Sequence, residues 1–144
     1  MIENDTVRLL RECDAGVRMG IASIGDVLDN VHAESLRQLL TDSRDEHERL
    51  GRTIDEALQR YRDEGKSPPA IAKGMSWIKT NVMLAFDGSD QTVADLMTDG
   101  CDMGVKSLSR YLNQYAAADE ESKDIAKKLI RIEEQLAVDL RDYL

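Results

Sequence analysis

Apolar residues recur along this chain at three- and four-residue steps, in stretches separated by short polar or glycine-containing breaks. This spacing puts the apolar side chains on one face of an α-helix, so each stretch predicts a helix that buries one side. The first predicted helix begins at an N-cap at Asn4 or Asp5 and ends at a break after Leu28. The second ends near Glu64, and Gly65 follows as its stop.

Three further stretches follow the turn at residues 65–69. A shorter helix over residues 68–87 begins at two prolines, which are tolerated in the first turn of a helix. A fourth helix opens at Ser89 or Asp90 and ends near Ala118. A fifth begins at the acidic residues 119–121, where the helix dipole favours negative charge, and runs to the terminus.

The connections between these helices predict one all-α domain over residues 1–144. The first two helices are joined by a short break, as are the last two, so we expect antiparallel hairpins over residues 5–64 and 89–144. The shorter helix at 68–87 is long enough to cross much of the bundle between them. Two hairpins joined by one long crossover make the ferritin-like form of an up-down four-helix bundle.

A short internal repeat supports two related hairpins. Residues 13–18 (CDAGVR) recur with conservative changes as residues 101–106 (CDMGVK), 88 positions later. A hairpin duplicated about a twofold axis accounts for this pattern, and chance similarity between short helical segments is the alternative. We expect Cys13 and Cys101 to be buried, reduced thiols; a redox-linked pair across the core is the other interpretation.

Composition and charge exclude several kinds of partner. Apolar residues make up 42% of the chain and charged residues 33%, with one Phe and one Trp, which is typical of amphipathic helices. The net charge of −9 disfavours binding to nucleic acid or an anionic membrane, because both need clustered Lys and Arg. No apolar run approaches the roughly 20 residues that span a bilayer, and the first residues lack a leader pattern, so we expect a cytoplasmic protein.

Three segments carry a likeness to a known family. They are the opening Leu9-Leu10-x-x-Cys13-x-x-Gly16, the stretch from Arg44 to Gly51, and the tail from Lys123 to Leu144. On these segments the chain resembles the uncharacterised bacterial ferritin-like domains related to the rubrerythrin-type bundles, and the resemblance extends over nearly the whole chain. It implies a ferritin-type pair of hairpins. No activity comes with it, because the function of such a fold lies in its site residues.

The motifs of a di-iron centre are missing from this chain. Such a centre needs an inward Glu on two helices and a Glu-x-x-His motif on each of the other two. The residues three positions before the two histidines, His32 and His47, are Asp29 and Arg44. Neither completes the motif, so a full di-iron centre is disfavoured.

A smaller metal site is conceivable in the middle of the bundle. Asp14, Glu46, His47 and Glu133 are predicted to lie at similar heights, and carboxylate and imidazole ligands suit a single Fe, Mn or Zn ion. The structural alternative is a salt bridge from Asp14 to Arg44 or Arg49, with His47 hydrogen-bonded at a helix interface.

Two classes of function remain open. We favour a non-enzymatic bundle that acts through protein contacts, as a homodimer and without a cofactor. Apolar side chains on more than one face of the 68–87 helix would supply such a surface, unless that helix only caps the bundle. The alternative is a metal-binding or iron-dependent oxidative-stress protein. Phosphate loops and nucleophile elbows are absent, which disfavours conventional hydrolase and nucleotide chemistry.

Overall fold

The described part of the chain is entirely helical. The structure, a computed structural model, describes residues 2–61 and 89–144, with side chains from Asp5 onward in the first range. Within these ranges there are four α-helices and a short 3-10 helix, Arg141–Tyr143, and no strand. The α-helices are α1 (Ile2–Leu28), α2 (Glu34–Arg60), α3 (Asp90–Gln114) and α4 (Glu120–Leu140). The all-α prediction is confirmed.

The predicted crossover helix at 68–87 lies outside the described residues. None of the helices in the described ranges is long and apolar enough to cross a bilayer.

Side-chain caps begin two of the four helices. The Ser89 hydroxyl accepts from the Thr92 N–H at 3.1 Å, and the Asp119 carboxylate accepts from the Ser122 N–H at 2.8 Å. Capping was wrongly predicted for the first helix: α1 begins at Ile2, and the Asp5 carboxylate accepts instead from the backbone N–H of Ala117, 3.1 Å away.

Hydrogen bonds at the two ends of the bundle define the direction of each helix. At one end the Asp90 carboxylate accepts from the backbone N–H groups of His32 and Ala33, at 2.7 and 2.8 Å, so α3 starts beside the α1–α2 turn. At the other end the Asp119 N–H donates to the Thr6 hydroxyl at 2.8 Å. The Tyr61 hydroxyl donates to the Asp119 carboxylate at 2.9 Å, so α2 ends where α4 begins.

These contacts give an antiparallel four-helix bundle. Helices α1 and α2 pack side by side, as do α3 and α4, α2 and α4, and α1 and α3, while α1 also meets α4 across the centre. Each of the four side-by-side pairs is antiparallel. The last described residue of α2's turn, Tyr61, therefore lies at the opposite end of the bundle from Asp90, where α3 begins.

The apolar core that the described residues form has two clusters, one towards each end of the bundle. The first cluster, on the Asp119 side, includes Leu9, Val17, Ile54, Leu108 and Leu129. The second cluster, on the Asp90 side, includes Ile24, Leu36, Leu40, Met97 and Leu140. Each helix contributes to both clusters, so burial of the amphipathic stripes orients all four helices.

Candidate functional site

A layer of polar and small residues separates the two core clusters at mid-height. We call it the mid-bundle layer, and it contains Gly20, Ser23, Ser43, His47, Gly104 and Glu133. Its polar side chains are buried: Ser23 is 6% exposed, Ser43 5%, His47 1% and Glu133 8%. Buried polar groups need hydrogen-bond partners within the protein. This layer is therefore the part of the core in which to look for a functional site.

His47 and Glu133 meet within this layer across the α2–α4 interface. His47 Nε2 lies 3.4 Å from Glu133 Oε1, and His47 Nδ1 lies 2.7 Å from the Ser43 carbonyl oxygen. Because a carbonyl only accepts, Nδ1 carries a hydrogen. Nε2 then contacts the carboxylate favourably only when one proton is present between them, on the imidazole or on the carboxyl group.

The surroundings of His47 favour the protonated ring. Burial by itself lowers the pKa of His47, but the Glu133 carboxylate, the Ser43 carbonyl and the charge of Glu46 outweigh it, and the pKa is raised above its ordinary value. Below this raised pKa, His47 and Glu133 form a buried imidazolium–carboxylate pair. Removing either partner of such a pair leaves the other buried without compensation.

Two glycines make room for this pair. A Cβ atom at Gly20 would lie 2.7 Å from both Cδ2 and Nε2 of His47, which is closer than carbon and nitrogen atoms pack. A Cβ at Gly104 would lie 3.5 Å from Oε1 of Glu133, an ordinary contact. At Gly20 the missing side chain of α1 thus makes room for the imidazole of α2.

The two cysteines are buried thiols in different clusters. Cys13 belongs to the first cluster and Cys101 to the second, and neither forms a disulfide. Burial, with the neighbouring carboxylates, raises the pKa of Cys13 to about 12. Burial also raises the pKa of Cys101, as do the charge of Glu133 and a hydrogen bond to it. Both side chains are therefore protonated at neutral pH and poor nucleophiles.

The structure brings together two of the four predicted metal ligands. His47 and Glu133 are in contact, whereas Glu46 is solvent-exposed on α2. Asp14 is buried, at 2% exposure, and pairs with Arg18 one turn further along α1, with 3.2 Å between Nε and Oδ1. A salt bridge to Arg44 or Arg49 stays a prediction.

In the described residues, His47 and Glu133 are not part of a larger group of metal-ligating side chains. Among residues 2–61 and 89–144, no three His, Cys, Asp or Glu side chains lie together in a way that could hold a metal ion. Structural metal sites commonly have four protein ligands. The four-residue metal site therefore stays a prediction, of which the described part of the chain provides one close pair.

A cavity of about 290 Å³ lies beside this pair, between α1 and α3. We call it the α1–α3 cavity. The residues that line the cavity are mostly small or apolar. Among the described residues, Glu133 is the only residue of α4 that lines it. Met103 lines it while remaining 48% exposed, so the cavity reaches the protein surface. Gly16, Gly20, Gly100 and Gly104 line it, and their missing side chains leave this space.

Sequence reasoning missed Ser43, Ser23 and the cavity. A signal for the first two was present, because polar residues occupy positions in the apolar stripes where the helical period predicts burial. In α2 the stripe passes from Leu40 to Leu50 through Ser43 and His47, at steps of three and four residues. The cavity has no such signal, since it depends on how far apart two helices pack.

Comparison with known proteins gives no relative from which a role could be transferred. No protein-family model, curated protein or solved structure matches this chain. The site is therefore interpreted from its own geometry.

Substituting Gly20 tests whether the imidazole packs against α1. Gly20→Ala adds a methyl group where the ring is held by Ser43, so we expect it to destabilise the fold by about 1–2 kcal/mol despite the better helix propensity of Ala. Gly25→Ala, with open space around its Cβ, should stabilise by about 0.5–1 kcal/mol. Urea unfolding of both variants measures the difference, and equal effects would contradict this packing.

The His47–Glu133 pair predicts a pH-dependent stability. An unfolded histidine titrates near pH ~6.5, and a raised pKa in the folded state means that the extra stability is complete below that pH and is lost as pH rises through the folded-state pKa. The free energy of unfolding should fall over this window, with a slope of at most about 1.4 kcal/mol per pH unit. Glu133→Gln should abolish or reverse the fall. His32→Gln, at an exposed histidine, should preserve it.

Proposed function

We propose that this chain is a ferritin-like bundle without enzymatic activity, which acts through protein contacts as a homodimer. The ferritin-like part is supported by the direction of the helices. The α1–α2 and α3–α4 hairpins lie side by side in opposite orientations, and Tyr61 and Asp90 lie at opposite ends of the bundle. Such opposite ends for the end of one hairpin and the start of the next are what a ferritin-type pair of hairpins has.

The absence of enzymatic activity is supported by the state of the reactive side chains. The two thiols are buried and protonated, and the imidazole of His47 already donates to the Ser43 carbonyl and contacts Glu133. A general base or nucleophile needs a free lone pair directed at a substrate. In the mid-bundle layer, both nitrogens of the imidazole are thus engaged by other groups of the protein.

The observation that carries the protein-contact proposal is the α1–α3 side of the bundle. Here small residues on two antiparallel helices leave a cavity that reaches the surface, and Met103, a large hydrophobic side chain, is 48% exposed at its edge. Stripes of small residues allow another helix to approach closely, and methionine adapts its shape to a partner. A second copy of the chain would present the same surface, as a twofold dimer requires.

Two matched substitutions test the dimer. Met103→Glu places a charge on the proposed surface, whereas Val138→Glu makes the same kind of change at a 45% exposed position on α4. We expect the wild type and Val138→Glu to form dimers in light scattering, and Met103→Glu to shift the dissociation constant upward by about a hundredfold or more. A monomeric wild type at high concentration, or equal effects of the two substitutions, would refute the proposed surface.

A metal-binding role is the second candidate, and the His47–Glu133 contact is the observation that favours it. Imidazole and carboxylate are both ligands for Fe, Mn or Zn, and an ion bound by both would take the place of a proton between Nε2 and Oε1. With this pair as its only close ligands in the described residues, such a site would depend on further ligands.

Elemental analysis separates the two candidates. Protein produced with added iron and manganese and purified without chelator should contain close to zero metal per chain if the first proposal holds. A near-stoichiometric metal content that His47→Gln removes and His32→Gln retains would establish the second. The exposed His32 is the matched control, because it is the only other histidine in the chain.

A further inference from the structure

The charges around the α1–α3 cavity are of one sign. Among its lining residues in the described ranges there are two carboxylates, Glu12 and Glu133, and no Lys, Arg or His. Glu12 accepts a hydrogen bond from the Tyr111 hydroxyl, which places its carboxylate beside the cavity wall. A ligand with a positive group is therefore matched to this cavity, and an anionic ligand is not.

Glu133 is the carboxylate with acceptor capacity left at the inner end of the cavity. It is 8% exposed, and its polar contacts within residues 2–61 and 89–144 are the long 3.4 Å approach of His47 Nε2 and the Cys101 thiol, a weak donor. An ionised carboxylate can accept about four hydrogen bonds. Gly104, which has no side chain, leaves the carboxylate uncovered on the α3 side.

The remaining walls are apolar and deformable. Met19, Met97 and Met103 line the cavity, and methionine fits irregular hydrocarbon shapes well. A dry cavity of about 150 Å³ holds one benzene, so a volume of about 290 Å³ accommodates a chain of roughly six to ten carbon atoms with a polar head. The cavity is too small for a helix.

We infer that the α1–α3 cavity binds a small amphipathic amine, with its ammonium group on Glu133 and its hydrocarbon chain between α1 and α3. The ammonium donates a charge-assisted hydrogen bond to the acceptor capacity that the long His47 contact leaves on this carboxylate. The methionines and the small residues of the two helices cover the hydrocarbon chain. This site goes beyond the proposed dimer and does not depend on it, because every side chain that it uses belongs to one copy.

Three probes of equal chain length test the head group. We would measure binding of n-hexylamine, 1-hexanol and hexanoate by calorimetry, and follow the methyl NMR signals of Met19 and Met97 to locate the ligand. A charge-assisted hydrogen bond to a buried carboxylate should make the amine bind about tenfold or more tightly than the alcohol. Hexanoate should bind most weakly. Equal binding of amine and alcohol, or no shift at the two methyl signals, would overturn the inference.

Two variants test the residues. Glu133→Gln keeps the shape of the side chain and should abolish the preference for amine over alcohol while alcohol still binds. Gly100→Leu fills the cavity from a position with open space around its Cβ, so it should weaken both ligands. Gly25→Leu, which has similarly open space and is not a lining residue, should bind them like the wild type.

The outcomes for the dimer and for the amine site are separable. Loss of the dimer in Met103→Glu with no amine preference in the wild type would refute only the amine site. An amine preference that depends on Glu133, in a wild-type chain that stays monomeric, would refute only the dimer. Should Glu133→Gln fail to fold, Gly100→Leu against Gly25→Leu still decides, since unchanged amine binding in Gly100→Leu would overturn the inference.

Discussion

The structure depends on a pair of polar side chains buried in the middle of an otherwise apolar bundle. His47 and Glu133 lie between the two core clusters and satisfy each other across the α2–α4 interface, and Ser43 holds the other side of the imidazole. Apolar side chains can slide past one another at little cost, whereas an imidazolium and a carboxylate are stable in a dry core only in contact. The pair therefore favours the register of α2 against α4 that keeps these two side chains in contact.

The same requirement explains the cavity. A buried imidazole needs space on α1, which Gly20 provides, and the carboxylate has space on α3 at Gly104. Because glycines occupy facing positions on α1 and α3, these helix surfaces have no side chains there. The space between the two helices is therefore left partly unfilled. One arrangement thus produces a rigid polar centre and, beside it, a partly empty apolar space with an acidic wall. The proposed dimer surface and the proposed amine site are two consequences of it.

Much of the fold follows from local patterns. The 3.6-residue period, the breaks after Leu28 and before Asp90, and the short connections predict an all-α chain with two hairpins, since each of these signals acts within a few residues. The ends of helices were less predictable. Asp5 has the chemistry of an N-cap, but its carboxylate instead accepts from Ala117, which is far away in sequence. Local propensity does not reveal that a distant donor will compete for the same acceptor.

The sequence by itself determined which residues could form a polar centre, because His47 and Glu133 interrupt apolar stripes at positions of predicted burial. Only the tertiary structure decided which of them meet. Adjacent helical residues point about 100° apart, so Glu46 faces solvent although His47 is buried. Asp14 is buried, and it pairs with Arg18 on the same helix. Pairing depends on the distance between helices and on their rotation, and these are set by packing of the whole core.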